Sequence, residues 1–208
     1  MKSTKIIGIT GLYAAGKNYA AGFFEKKGFP VLDVDKLGYK IIEEEKERII
    51  SRFGRDILGG DGKIDRKLLG RKTFGKKEEL NDLEDIVHPG ANRETLAWID
   101  SREERACVIN AALLHRSSAV ERLDAVIVVE APFLVRLLRA KKRDKLPWAV
   151  LLKRFGSQEK IDYHFYAEKT DIYRVGNSFT PINLLRANSG EKKLESRINE
   201  ILSLLGIT

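Results

Sequence analysis

An apolar, strand-like run near the N-terminus leads directly into a loop with two glycines and a lysine. Residues 5–10 read K-I-I-G-I-T, which is typical of a buried strand. Residues 11–18 read G-L-Y-A-A-G-K-N and fit the pattern G-x-x-x-x-G-K. Residues 17–27 space their apolar side chains as a helix does, and Gly28 marks the predicted end of that helix. A strand that enters a helix through such a loop favours an α/β architecture.

The loop itself indicates a phosphate-binding site. Backbone N–H groups of a tight loop converge on phosphate oxygens, and the helix that follows adds its positive N-terminal end. Lys17 is placed to reach the β- and γ-phosphates of a nucleotide such as ATP. The alternative is an ordinary strand-to-helix turn. The predicted nucleotide-binding residues of the loop are Gly11, Leu12, Tyr13, Ala14, Ala15, Gly16, Lys17 and Asn18.

Asn18 occupies the position at which this motif usually has the hydroxyl of Ser or Thr, which binds Mg²⁺. An amide oxygen can also bind Mg²⁺, but the amide group is bulkier and differently placed. We therefore predict ATP with Mg²⁺ as the cofactors and Asn18 as an imperfect metal-binding position.

Strand-like and helix-like segments alternate along the rest of the chain, which predicts a parallel five-stranded sheet flanked by helices. Residues 53–62 are predicted to form a loop, and the mostly helical stretch from there to about residue 104 is predicted to break at His88-Pro89. A packed helix ends the chain. The other predicted strands are 29–34, 106–110, 125–129 and 172–175, and further predicted helices are 36–52 and 133–142.

Two aspartates, Asp33 and Asp35, end the second predicted strand. Residues two apart in a strand face the same side, and the carboxyl ends of parallel strands border the ligand crevice of α/β proteins. One carboxylate could take a proton from a substrate hydroxyl, while the other helps to hold a metal through water. Alternatively, Asp35 caps a helix that begins at Lys36.

Basic residues crowd the segment that follows the fourth predicted strand: Arg136, Arg139, Lys141, Lys142 and Arg143. They fit a mobile lid that stabilises phosphate charge and excludes water, or a solvated helix face. His88, before Pro89, fits either a functional position or an ordinary helix start.

Composition excludes several other classes of protein. Among 208 residues the only cysteine is Cys107, so no internal disulfide can form, and we expect a cytoplasmic protein. No apolar run is long enough to span a membrane. The net charge of +8 is spread along the chain, without the aromatic pattern that stacks bases. We expect small anionic substrates and neither nucleic acid nor membrane as partners, and the oligomeric state is left open.

The order of these features resembles the dephospho-CoA kinase family over nearly the whole chain. The resemblance is carried by the loop and by a series of landmarks at about the family's spacing: 29–35 (F-P-V-L-D-V-D), 53–54, 61–66 (D-G-K-I-D-R), Phe74, 86–89 (I-V-H-P), 126–132, 137–139, 143–144, Ser157-Gln158 and Asn177-Ser178.

The resemblance implies a P-loop kinase that phosphorylates the 3′-hydroxyl of dephospho-CoA with ATP, the last step of coenzyme A synthesis. It implies Asp35 as the general base supported by Asp33, and Lys17 and Arg139 as catalytic residues. Arg143 would bind the nucleotide, and His88 and Arg93 the acceptor. It further implies a core (about 1–64, 105–132 and 170–208), a helical CoA-binding subdomain (about 65–104) and a lid (about 133–169).

The sequence departs from the family pattern in three places, one of which is a late element that residues 173–177 match only loosely. Residues 12–15 replace a glycine-rich loop, and the third strand ends in Asn110 without the family's acid and proline. Asn18 and Asn110 are neutral amides, and such groups hold Mg²⁺ less firmly than carboxylates. The alternatives are therefore a kinase for another small acceptor, such as a nucleoside or nucleotide, and a catalytically impaired homologue that binds nucleotide or CoA.

Overall fold

The computed structural model describes residues 4–157, 161–178 and 187–207, and over residues 187–191 the backbone alone. The chain divides into two compact units. The first comprises the residues up to Leu32 and from Ser101 onward, and the second comprises Asp33–Asp100.

The first unit contains a five-stranded sheet with the strand order β2-β3-β1-β4-β5. The pairs β1–β3, β1–β4 and β4–β5 are parallel, and Ile7 lies opposite both Val108 and Ala125. The prediction of a parallel five-stranded sheet is confirmed. The strands are β1 (Lys5–Gly11), β2 (Val31–Asp33), β3 (Ala106–Asn110), β4 (Ala125–Glu130) and β5 (Asp171–Gly176).

Helices pack around this sheet and make up the second unit. They are α1 (Lys17–Lys26), α2 (Val34–Glu44), α3 (Lys46–Phe53), α4 (Arg66–Thr73), α5 (Lys77–Asp100), α6 (Phe133–Asp144), α7 (Trp148–Gly156), α8 (Tyr163–Ala167) and α9 (Ala187–Leu204). Short 3₁₀ turns occur at Arg55–Ile57, Leu114–Arg116 and Ser118–Arg122. In the part of the chain that is described, no helix has the length and apolar content needed to cross a membrane.

The main core joins the central strands to α1 and α9. Phe24 of α1 and Ile198 and Ile201 of α9 are fully buried together with Ile7 of β1. Burying one such side chain contributes about 1.5–3 kcal/mol. This core fixes the sheet and the start of α1, and thereby the loop that joins β1 to α1.

The second strand and the helices after it differ from prediction. The strand was expected to reach Val34, but it ends at Asp33, and α2 begins at Val34. The Asp33 side chain accepts the Lys36 N–H at 3.1 Å, and this cap starts the helix early. The single helix expected over 36–52 is two helices, because the chain leaves helical geometry at Glu45.

The predicted break at His88-Pro89 is also wrong, since α5 continues through Pro89 for 24 residues. Proline in a helix interior forfeits one backbone hydrogen bond. Packing within the second unit compensates. A Cβ at Gly90 would lie 2.9 Å from the Ile41 side chain of α2, and Val87 and Ala91 are buried in the same core. This close helix pairing holds α5 on one axis.

Candidate active site

The loop between β1 and α1 requires both of its glycines. A Cβ at Gly11 would lie 2.5 Å from the Val129 carbonyl oxygen, so only glycine permits this approach to β4. Gly16 has φ +99°, and a Cβ there would lie 2.2 Å from Asn177 Nδ2. Both positions therefore exclude any side chain, which is the reason for the two glycines of the motif.

Between these glycines the loop turns tightly without further glycine. The Ala15 N–H donates to the Leu12 carbonyl at 2.9 Å, and Ala14 adopts φ +60°. A left-handed alanine costs about 1–2 kcal/mol, so the surrounding contacts must hold it in place. The missing glycines of the sequence motif therefore do not prevent the turn.

The N-terminus of α1, where the helix dipole is positive, can bind an anion. The N-cap is Gly16, which has no side chain to satisfy the first N–H groups, and the first turn contains no acidic residue. Such a terminus attracts phosphate through its N–H groups and the helix dipole.

Lys17, Asn18 and Asn110 form one hydrogen-bond network beside the loop. Lys17 Nζ donates to Asn18 Oδ1 at 3.1 Å and to Asn110 Oδ1 at 3.3 Å. Asn110 Nδ2 donates to Asn18 Oδ1 at 3.0 Å. The two amides that the sequence marked as departures thus lie together and contact the ammonium group of Lys17.

These amide oxygens are the candidate metal ligands. They fit Mg²⁺ chemically, because it accepts carbonyl oxygens, but they contribute no negative charge. Among the described residues, no cluster of three His, Cys, Asp or Glu side chains could hold a metal ion. A metal at this site would therefore depend on phosphate oxygens for most of its charge neutralisation.

Asn177, just after β5, joins the loop to α6. Its Nδ2 donates to the Ala15 carbonyl at 2.9 Å, and its Oδ1 accepts from Arg139 Nη2 at 3.1 Å. Its backbone N–H donates to the Glu130 carbonyl at 2.6 Å, and the residue is only 4% exposed. Sequence reasoning noted Asn177 only as part of a closing motif and did not predict this role.

Two arginines of α6 contact loop carbonyls. Arg139 Nη1 donates to the Ala15 carbonyl at 3.2 Å, and Arg136 Nη1 to the Tyr13 carbonyl at 3.4 Å. Burial lowers the pKa of both arginines from their ordinary value. The basic residues of α6 therefore lie on two sides of the helix. Arg136 and Arg139 face the loop, whereas Lys142 is exposed.

Arg143, predicted to bind nucleotide, contacts Tyr13 of the loop and Asp144. Its guanidinium lies 5.1 Å from the Tyr13 ring centroid and pairs with both Asp144 oxygens at 2.7 and 3.1 Å. The Tyr13 hydroxyl also donates to Asp144. The hydrogen bond with Asp144 raises the pKa of Arg143, and the same bond lowers the pKa of Asp144. The Tyr13 side chain thus fastens the loop to the end of α6.

A cavity of about 410 Å³ opens beside the loop at the ends of β4 and β5. Tyr163 donates to Glu130 Oε1 at 2.5 Å, and Arg174 Nε donates to both Glu130 oxygens at 3.0 and 3.1 Å. Burial opposes ionisation of Glu130, but these hydrogen bonds prevail and lower its pKa. No sequence pattern indicated this cavity. Its lining is Leu12, Val129, Glu130, Ala131, Pro132, Ile161, Tyr163, Gly176, Asn177 and Ser178.

The aspartates of the second unit do not form the predicted pair on a strand. Asp33 ends β2 and caps α2, so the alternative in which Asp35 is the cap is wrong too. Asp35 lies in the first turn of α2. Because the chain changes from strand to helix between them, the two-residue spacing no longer places both carboxylates on one strand face.

His88 and Arg93 both lie on α5, where His88 is half-buried and Arg93 exposed. Five residues along a helix separate side chains by about 140° around the axis. The two side chains therefore leave α5 in different directions. Gln158, from the Ser157-Gln158 landmark, lies outside the described residues.

The chain matches the family model for dephospho-CoA kinase over residues 5–168, which is most of its length. The chain belongs to the dephospho-CoA kinase family. A dephospho-CoA kinase from Fusobacterium nucleatum subsp. nucleatum is 32% identical over 182 residues, covering 85% of this chain and 91% of that protein.

Solved structures agree with this membership. The dephospho-CoA kinase from Campylobacter jejuni has a TM-score of 0.62 and 26% identity over 97% of both chains. The protein TT1252 from Thermus thermophilus has a TM-score of 0.78 and 27% identity over 100% of both chains. Both similarities extend over nearly the whole chain and agree with the fold described above.

Proposed function

We propose that this protein transfers the γ-phosphate of ATP to the 3′-hydroxyl of dephospho-CoA, giving coenzyme A and ADP. The observation that carries the proposal is the loop at residues 11–18 in a member of this kinase family, with Lys17 near its end and Arg139 donating to its Ala15 carbonyl. The loop N–H groups and the α1 terminus supply fixed positive potential for the phosphates.

In the reaction, the 3′-oxygen loses its proton, attacks the γ-phosphorus and displaces ADP. Asp35 is the base that accepts this proton. Lys17 and Arg139 neutralise charge on the transferring phosphoryl group and on the β-phosphate, and Asp33 supports Asp35 by capping α2. Mg²⁺, when bound with the nucleotide near Asn18 and Asn110, supplies further charge neutralisation.

The 410 Å³ cavity is the proposed adenine site of ATP, because it borders Leu12 of the loop and is mostly apolar. Ion pairing of Glu130 with Arg174 fixes one wall. Arg143, which lies against Tyr13 of the loop, contributes to nucleotide binding in this proposal. In this proposal, residues 133–169 serve as the lid and residues 65–104, with His88 and Arg93, contribute to CoA binding in a cytoplasmic enzyme.

The neutral pair Asn18–Asn110 favours one second candidate, a homologue that binds nucleotide or CoA without turnover. The deciding experiment is a coupled assay of ADP release with ATP, Mg²⁺ and dephospho-CoA. We expect release that requires dephospho-CoA and disappears in Lys17→Ala. Calorimetric binding of ATP with no ADP release at any Mg²⁺ or Mn²⁺ concentration would favour the second candidate.

A further inference from the structure

The second unit contains a cavity of about 550 Å³ that none of the roles above uses. Its size is that of a small-molecule site. It is lined from α2, from the loop before α4 and from the first residue of α4: Tyr39, Ile42, Glu43, Gly59, Gly60, Asp61, Lys63, Ile64, Asp65 and Arg66.

The cavity continues the face of α2 that carries Asp35. Tyr39 and Ile42 follow Asp35 by four and seven residues, which places all three side chains on one side of the helix. From Asp35 to Tyr39 the helix rises about 6 Å. This distance is about the width of one sugar ring. A ligand whose reacting group lies at Asp35 could therefore place a neighbouring group, one sugar ring from the reacting group, in this cavity.

The acidic side chains of the lining accept hydrogen bonds from the backbone of the cavity walls. Glu43 Oε1 accepts the Ile64 N–H at 3.0 Å, Asp61 Oδ1 accepts the Lys63 N–H at 3.1 Å, and Asp65 Oδ1 accepts the Lys67 N–H at 2.7 Å. A backbone bond from Gly59 to Lys63 closes the loop at 2.8 Å. With its carboxylates committed in this way, the wall is preorganised before any ligand arrives.

Two of the remaining large groups, Tyr39 and Arg66, form a stacked pair. The Arg66 guanidinium lies 4.1 Å from the Tyr39 ring centroid, and Tyr39 is 47% exposed. Planar aromatic and guanidinium groups bind nucleobases by stacking. Three carboxylates against Lys63 and Arg66 make the lining unfavourable for a diphosphate, so the cavity suits an uncharged planar ligand.

We propose that this cavity binds the purine base of the acceptor nucleotide, stacked on an exposed side of the Tyr39–Arg66 pair. The proposal rests on the proposed function, in which the acceptor is dephospho-CoA. The adenine and the reacting 3′-oxygen of that molecule belong to one ribose, so a base on Tyr39 leaves the hydroxyl one helical turn away, toward Asp35. Tyr39 and Arg66 are then binding residues for the acceptor.

The test compares Tyr39→Ala, Tyr39→Phe and Arg66→Ala, with Arg71→Ala as the control, an exposed arginine on the same helix as Arg66 outside the cavity. Loss of one base stack weakens binding by about 1–3 kcal/mol. We expect Tyr39→Ala to raise the KM for dephospho-CoA about tenfold or more, with the KM for ATP unchanged. Tyr39→Phe and Arg71→Ala should behave as the parent, and Arg66→Ala should fall between.

Calorimetric titration with dephospho-CoA, on variants with unchanged circular dichroism, separates this proposal from the proposed function. If the parent protein binds dephospho-CoA without releasing ADP, the proposed function fails, and loss of affinity in Tyr39→Ala still supports the cavity. Equal affinity in parent and Tyr39→Ala, or no binding by the parent, overturns the cavity proposal.

Discussion

The amide of Asn177 lies so close to Gly16 that a Cβ at position 16 would be 2.2 Å from Nδ2. The two residues meet because Asn177 donates to the Ala15 carbonyl, across 162 positions of sequence. The second glycine of the loop is thus required because Asn177, which follows the edge strand β5, occupies the space that a side chain at position 16 would need.

Gly16→Ala should destabilise the protein and abolish ATP binding. The left-handed φ alone costs about 1–2 kcal/mol, and displacement of Asn177 adds to it. Urea unfolding and calorimetry with ATP measure the two effects. Gly22→Ala is the matched control, because a Cβ there meets nothing within 4 Å and alanine should stabilise α1 by about 0.5–1 kcal/mol. Equal stability of both variants would contradict this account.

Asn177→Ala should lower turnover and raise the KM for ATP. The change removes one of the acceptors of Arg139 and a donor to the Ala15 carbonyl, so both the arginine and the loop are held less firmly. Steady-state kinetics against ATP concentration measures this, and the KM for dephospho-CoA should stay the same. A variant that keeps the parent's KM for ATP would show that Asn177 does not position the loop.

Asp35→Asn should abolish ADP release while ATP binding persists, since the amide cannot accept the proton. Asp33 provides the contrast. Asp33→Asn should retain stability because asparagine also caps helices, whereas Asp33→Ala should cost about 1 kcal/mol. ADP release and thermal unfolding of the three variants test these roles. Normal turnover in Asp35→Asn would exclude it as the base.

Asp144 should make stability depend on pH. Its pKa is lowered in the folded state, chiefly by the hydrogen bond from Arg143. A lowered carboxyl pKa stabilises the fold above the group's ordinary pKa, and this contribution is lost as pH falls through the folded value. The difference in unfolding free energy between the parent and Asp144→Asn should therefore shrink from about pH 6 to about pH 3. A difference that stays constant over this range would be inconsistent with the ion pair.

The contact between Arg143 and Asp144 shows what the sequence could not predict about the basic segment. The nucleotide-binding role of Arg143 stays a prediction, but its contacts with Tyr13 and Asp144 were not predicted. A charge run does not specify partners: Arg136, Arg139 and Arg143 share one face of α6, and each meets a different group of the loop. The proposed adenine site was equally unpredictable, since its lining comes from loops and strand ends distant in sequence.

The sequence alone determined the elements whose causes are local. An apolar run, two glycines at fixed spacing and a helical period specify the strand, loop and helix, and the order of landmarks identified the family. Only the tertiary structure decided the rest: that α5 passes through Pro89, that Asp33 rather than Asp35 caps α2, and that Asn177 reaches Ala15. The path of α5 and the Asn177 contact depend on packing and hydrogen bonds between residues far apart in the chain, which leave no periodic signal in the sequence. The Asp33 cap is local, but both aspartates have a residue type suited to capping, so only the backbone geometry decided between them.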